Sequence, residues 1–268
     1  LFHNNMIGLF LGSTDFPKII LDKIKRKKLK YFIVDLTKNN LFKENKKSHF
    51  ISIGKFGKIL NLIKEKNCKK VLFAGKIEKP KLSNLKFDIK GVFYLPRIIK
   101  ASKLGDAAIL KELIKILAEN KIKVIKSNFF NKELTLSKGN ITKSKPSKQD
   151  FINIKNGIKT LYLLNAHNHV QGLVIKDNNI IIKESYSGTK KMLQSINKNK
   201  AKGGILIKFP KQKQDLRADL PTVGLDTLKD CKKSNLKGIV LKSNENIFID
   251  KRKCINFANM NNFFINII

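Results

Sequence analysis

The residues best suited to chemistry lie in the loop 208–224, where Asp215, Arg217 and Asp219 occupy alternate positions between an apolar run and a later helical pattern. In extended backbone, residues two apart project to the same side. Two carboxylates flanking a guanidinium can then hold a divalent cation while the arginine takes a phosphate oxygen, the division of labour of phosphoryl transfer. An ion pair that only pins the loop is the competing reading. A second candidate is Gly12-Ser13-Thr14-Asp15, between the first apolar run and a helix whose free N–H groups would favour an anion. It lacks the second and third glycines of G-x-G-x-x-G, so a plain turn competes with nucleotide contact. Gly54-Lys55-Phe56-Gly57-Lys58 resembles part of a phosphate-binding loop, but the spacing is wrong and Ile59 stands where Ser or Thr would hold magnesium. His167-Asn168-His169 would put two imidazoles on one face only in a strand; the polar end of a helix-to-strand connection is the simpler reading. No G-x-S-x-G or other nucleophile signature accompanies them.

The elements that must position these residues alternate. Met6–Leu11 reads as a strand, followed by a helix from Pro17 to about Lys28, the strand Tyr31–Val34 ending at Asp35, and a helix from Phe56 to Lys66. The strand Val71–Ala74, closed by Gly75, and a helix from Asp106 to about Asn120 complete a pattern that calls for a buried parallel sheet with helices on both faces. Residues 128–149 lose periodicity, as a domain connection would. Beyond them come a helix over 150–164, strands 170–175 and 180–184 joined by the turn residues Asp177-Asn178-Asn179, a helix through Met192, the strand Ile205–Lys208, a helix from about Asp226 and strands at 238–241 and 247–249. The expectation is two α/β domains: a Rossmann-like parallel sheet over 6–130, a linker over 131–149, and a mixed domain over 150–268 carrying the Asp215–Asp219 block, with the active site between the domains.

The chain has 268 residues and a formal net charge of +36, from 56 Lys plus Arg against 20 Asp plus Glu. Such a balance suggests nucleic acid or an anionic membrane. Only Arg26, Arg97, Arg217 and Arg252 are arginines, and Lys, Asn and Ile are enriched together, the mark of an AT-rich codon pool. A selected phosphate reader would favour the planar arginine fork and interleave stacking aromatics, so nucleic acid is not expected as a partner. Cys68, Cys231 and Cys254 are odd in number and widely spaced, which argues against disulfides or a zinc ribbon and for a reducing compartment. No run reaches about 18 apolar residues, so a cytoplasmic chain is expected, with Leu1–Asn5 read as lying upstream of a start at Met6.

The block Gly204-Ile-Leu-Ile-Lys208, then Gln214-Asp215-Leu216-Arg217-Ala218-Asp219-Leu220-Pro221-Thr222-Val223-Gly224, resembles the signature of the LpxI-type UDP-2,3-diacylglucosamine pyrophosphatases. The likeness continues collinearly through Ile53–Ile59, Phe73-Ala74-Gly75 with Pro80, Gly105-Asp106, Thr135-Leu136, Gly172-Leu173-Val174, Gly188-Thr189 with Met192-Leu193, and Gly238-Ile239-Val240. Three positions depart from the family pattern. The glycine-rich first turn is Gly12-Ser13-Thr14-Asp15-Phe16-Pro17, G-D-D is Gly105-Asp106-Ala107, and E-G-T-D is Ser187-Gly188-Thr189-Lys190.

The resemblance implies hydrolysis of UDP-2,3-diacylglucosamine to UMP and 2,3-diacylglucosamine 1-phosphate in lipid A synthesis, with water directed at the sugar-side phosphorus. It implies a divalent metal, best magnesium, a ligand held between two domains, a homodimer, and work at the inner face of the cytoplasmic membrane without spanning it. The essential acid falls on Asp219, with Asp215 and Asp106 as further metal or water ligands and Arg217 as a catalytic partner. Substrate contacts are expected at Gly12, Ser13, Lys55, Gly75, Lys208, Gln214, Thr189 and Thr222. A different sugar nucleotide as ligand and a basic nucleic-acid protein are the alternatives.

Overall fold

The first apolar run forms β1 (Ile7–Leu11), buried along its whole length, as the central strand of a parallel sheet requires. In this computed structural model the described residues are 6–77, 82–129, 132–168, 170–212 and 215–268. The chain separates into two units, Leu1–Lys132 with Asp215–Asp219, and Glu133–Gln214 with Leu220–Ile268.

In the first unit β1 is followed by α1 (Phe16–Arg26), β2 (Tyr31–Asp35), β3 (Ser48–Phe50), α2 (Phe56–Glu65), β4 (Lys70–Ala74), α3 (Ile89–Ser102), α4 (Asp106–Glu119) and β5 (Lys123–Ile125). The strands pair in the order β3-β2-β1-β4-β5, all parallel, with Leu11 opposite both Asp35 and Ala74. The apolar core forms around Phe10, Phe32, Val71 and Phe73 from the sheet and Ile59, Ile63, Ile114 and Leu117 from helices. Pro17 sits in the first turn of α1, where its missing N–H costs nothing. The sequence reading omitted α3. Its buried residues are only Gly91, Tyr94 and Ala101, and Pro96 lies inside it, so no inward apolar stripe announces a helix.

In the second unit β6 (Gly139–Asn140), α5 (Lys148–Asn168), β7 (Gly172–Lys176), β8 (Asn179–Lys183), α6 (Gly188–Ser195), α7 (Lys198–Ala201), β9 (Ile205–Lys208), β10 (Thr222–Val223), α8 (Leu225–Lys233), β11 (Gly238–Leu241), β12 (Ile247–Phe248), α9 (Lys251–Met260) and β13 (Phe264–Ile267) follow in order. The six-stranded sheet runs β6-β13-β11-β9-β7-β8; β9, β11 and β13 are mutually parallel, whereas β6, β7 and β8 pair antiparallel. Asp177 and Asn178 both take positive φ, 46° and 61°, the two-residue hairpin turn that their side chains favour. The segment read as a linker contributes β6 and the buried Leu136, and Thr142 Oγ1 accepts the amide of Ile265. Ser147 and Asp150 bond reciprocally at the start of α5 as a capping box, and Lys237 pairs with Asp150 at 2.7 Å.

α5 runs to Asn168, so the strand that would have aligned two imidazoles does not form there; His169 lies outside the described residues. The three cysteines are buried and free. Burial pushes the Cys231 and Cys254 thiols well above their ordinary value, so both are inert packing groups. Among the described residues no helix is long and apolar enough to cross a membrane.

Candidate functional site

The order β3-β2-β1-β4-β5 reverses direction between β1 and β4, and ligands of open α/β sheets bind beyond the strand ends at that reversal. Gly12 and Ser13 follow β1 there, and Gly75 follows β4. The two loops are bonded to each other: the Ser13 and Lys76 amides each donate to the other's carbonyl at 2.9 Å, and Ser13 Oγ also donates to the Lys76 carbonyl at 2.9 Å. A Cβ at Gly12 would strike that carbonyl, while Gly75, at φ +86°, would drive a Cβ into Pro17 and the Ser13 carbonyl. Both glycines are therefore required by the loop-to-loop bridge itself. Next to them Thr14 holds φ 102°, a conformation that a β-branched residue rarely adopts.

At the C-terminal end of β2, beside the end of β1, Asp35 stands where an acid would hold a ribose in a dinucleotide fold. Its carboxylate instead accepts the Thr37 amide and hydroxyl at 2.9 and 2.7 Å and the Phe42 amide at 2.9 Å, which closes its own loop.

The segment resembling a phosphate-binding loop does bind an anion at the start of α2, but an internal one. Asp88 Oδ1 accepts the Gly57 amide at 3.0 Å and the Gly91 amide at 2.8 Å, and Oδ2 accepts the Lys58 amide at 3.0 Å. One carboxylate thus caps α3 and satisfies the first N–H groups of α2. Burial opposes the charge, yet these three amides and the nearby Lys55 hold the Asp88 carboxyl below the usual range. Sequence reasoning found Lys55 and missed Asp88; an acid in a lysine-rich stretch was the available signal.

The five residues Asp215–Asp219 belong to the first unit, and Ala218 packs on its core. They are not extended. The amides of Ala218 and Asp219 both donate to the Asp215 carbonyl, at 3.1 and 3.0 Å, so the backbone coils and the three side chains do not simply share a side. The coiling brings Arg217 back onto Asp215: Nε reaches Oδ1 at 2.9 Å, Nη2 reaches Oδ2 at 2.7 Å, and the Arg217 amide also donates to Oδ1 at 3.0 Å. The Arg217 guanidinium accordingly holds the Asp215 carboxyl below its ordinary range against the opposing effect of burial, with Lys111 of α4 adding to it. Arg217 also lines a cleft of about 220 Å³ with Ile114, Ala118, Lys121, Ile122, Lys123 and Val124. Asp106 occupies the first turn of the same α4.

In the second unit Lys208 and Thr189 meet. Lys208 ends β9 with its side chain buried, and Nζ donates to Thr189 Oγ1. Thr189 in turn donates to Glu184 Oε2 at 3.2 Å, and Gln171 Nε2 reaches Oε1 at 3.4 Å. Glu184 is 7 % exposed and was not among the expected site residues, although a lone acid closing an apolar strand five positions before Thr189 was visible in the sequence. Thr222 is exposed on β10, its hydroxyl donating to the Leu220 carbonyl at 3.4 Å. Gln214 lies outside the described residues.

Among the described residues no three Asp, Glu, His or Cys side chains form a ready-made metal cage. Magnesium does not need one: it is commonly held by one or two carboxylates, with substrate phosphate oxygens and water completing its shell. Asp219, Asp106 and Asp215 all lie in the first unit and carry hard oxygen donors, but the three do not form one group, and both oxygens of Asp215 are engaged by Arg217.

Two family models match the chain in succession, the LpxI N-terminal domain over residues 6–134 and the LpxI C-terminal domain over residues 137–266. Among curated relatives, the chain is similar to the UDP-2,3-diacylglucosamine pyrophosphatase LpxI of Caulobacter vibrioides, with 27 % identity over 223 residues, covering 80 % of each chain.

Proposed function

The chain belongs to the LpxI family, and from that premise we propose that it hydrolyses the pyrophosphate of UDP-2,3-diacylglucosamine, releasing UMP and 2,3-diacylglucosamine 1-phosphate. The observation that supports this reading most is the intact Asp215-Leu216-Arg217-Ala218-Asp219 turn, which offers carboxylates and a guanidinium on five consecutive residues. Asp219 either binds magnesium or activates the attacking water. Arg217, gripped by Asp215 through Nε and Nη2, has Nη1 to offer a phosphate oxygen, and the pairing fixes the plane of the fork before substrate arrives. Lys208, steadied by Thr189, supplies a second cation for the charge that develops as the bridging oxygen departs. Carboxylates from among Asp219, Asp106 and Asp215 would hold magnesium, which supplies Lewis-acid stabilisation of the phosphoryl oxygens when bound. The enzyme would act at the inner face of the cytoplasmic membrane, because two acyl chains keep its substrate there.

The test is release of UMP from UDP-2,3-diacylglucosamine by purified protein, with and without magnesium, beside Asp219→Ala. Magnesium-dependent release that falls by orders of magnitude in a folded Asp219→Ala variant is the expected result. No release from folded wild-type protein would overturn the reading and favour another nucleotide-linked ligand.

A further inference from the structure

Helix α3 turns an apolar face away from its own unit. Its inner side is anchored: Tyr94 packs edge-on against Phe56 at 5.6 Å, and Arg97 is clamped to Glu112 and Glu119 of α4 by bonds of 2.7 Å. Its outer side carries Ile89, Val92 and Phe93, which are 88, 58 and 67 % exposed. The spacing i, i+3, i+4 puts these three on one side of a single turn. Lys90 lies in the same turn, its Nζ 5.8 Å from the centre of the Phe93 ring, Lys100 and Lys103 are exposed about two to three turns further along, and α3 itself contains no acidic residue.

Exposed apolar side chains rimmed by cations are what a helix lying in a membrane interface presents: the apolar groups enter the acyl boundary and the lysine stems reach back to headgroup phosphates. The charge selects the occupant. A second copy meeting this face by two-fold symmetry would set the three lysines against their own counterparts in a chain already carrying +36, whereas an anionic bilayer complements both parts of the patch.

We propose that α3 docks the protein on anionic phospholipid bilayers, with Ile89, Val92 and Phe93 in the acyl boundary and Lys90, Lys100 and Lys103 on the headgroups. The inference rests on the reading of a membrane-resident substrate and names the surface that would bring the enzyme to it. The clamp on Arg97 keeps the face rigid, so docking orders little that is not already ordered.

The experiment is flotation of the full chain with vesicles of phosphatidylcholine alone and of equimolar phosphatidylcholine and phosphatidylglycerol. Wild-type protein should float with the anionic vesicles and not the neutral ones. Ile89→Ser with Phe93→Ser should weaken that binding roughly tenfold or more, and Lys100→Gln with Lys103→Gln roughly fivefold per lysine at low salt. Tyr186→Ser, at a residue 98 % exposed on the second unit, is the control that should change nothing. Circular dichroism and UMP release from detergent-dispersed substrate should be at wild-type level in the α3 variants. Undiminished flotation of the Ile89/Phe93 variant, equal binding to neutral vesicles, or a dimer that dissociates on Phe93→Ser would each overturn the proposal. Vesicle binding is read without substrate, so failure of UMP release would sink the hydrolase reading while leaving α3 docking to stand or fall by flotation.

Discussion

Asp215 grips Arg217 three times, through its amide, Nε and Nη2, within a turn of five residues. The bidentate geometry makes the carboxylate a positioning group for the guanidinium, whatever else it binds. Asp215→Asn should lower kcat/KM for UMP release by roughly ten- to a hundredfold, and Arg217→Lys, which loses the planar fork, by a similar factor. If the two act as one unit, the double variant should be little worse than either single one. Effects that multiply independently would separate the residues and return Asp215 to a role of its own.

Thr14 pays for its φ of 102° in a loop whose neighbours cannot move, because Ser13 and Lys76 are bonded on both sides of their bridge. Replacing it by glycine removes a strain of about 1–3 kcal/mol against roughly 1 kcal/mol of added chain entropy in the unfolded state. Thr14→Gly should therefore raise the urea midpoint, whereas Gly75→Ala, at φ +86° with Pro17 in the way, should lower it. A Thr14→Gly protein less stable than wild type would mean that its hydroxyl matters more than its backbone.

The parallel core strands β1, β2 and β4 were legible because they are nearly continuous apolar runs, and burial on both faces demands that pattern. The hairpin was legible from Asp177-Asn178, where turn chemistry is local. α3 was not, because its apolar residues fall on both the inner and the outer side and Pro96 lies inside it, so neither a clean stripe nor an uninterrupted helical run shows. β6, with two residues, is too short to carry a period, and it pairs with β13, more than 120 positions away. The acids and the arginine of 215–219 were legible as chemistry, but their geometry was not: a carboxylate that can accept amides two positions on bends the backbone, and alternation then no longer means a shared side. Asp88 and Glu184 escaped notice since each joins a near partner, Gly91 or Thr189, to a more distant one, Gly57 or Gln171, and only the fold brings the distant ones in.

Asp88 should give the fold an acid limb. Its folded pKa lies below the ordinary carboxylate value, so its contribution is fully present above the unfolded value of about 3.9 and is lost as the pH falls through the depressed folded value. Asp88→Asn keeps one acceptor oxygen but loses the second and the negative charge at the starts of α2 and α3, which should cost about 1 kcal/mol near neutrality. Thermal midpoints measured from neutral to acid pH should show the gap between the two proteins narrowing below the ordinary carboxylate range. A gap that is constant with pH would mean the charge is immaterial and only the shape of the side chain counts.

Lys208, Thr189 and Glu184 place a cation and an acid on the two sides of one hydroxyl, all three largely out of water. A hydroxyl can donate to the carboxylate while accepting from the ammonium, so Thr189 satisfies both neighbours at once. Removing it leaves each short of a partner in a buried setting, a loss of about 1–3 kcal/mol, and Thr189→Ala should lower the denaturant midpoint accordingly while Thr189→Ser restores it. The network also separates stability from turnover. Lys208→Met alone leaves the Glu184 carboxylate buried without the ammonium beyond Thr189 and should lower the denaturant midpoint, whereas Lys208→Met with Glu184→Gln removes both charges and should recover much of that stability. Both variants deprive the pyrophosphate of a cation, so UMP release should stay roughly a hundredfold or more below wild type in the double variant too. If turnover instead returns with stability in the double variant, Lys208 is a packing group of the second unit and the phosphate charge is met elsewhere.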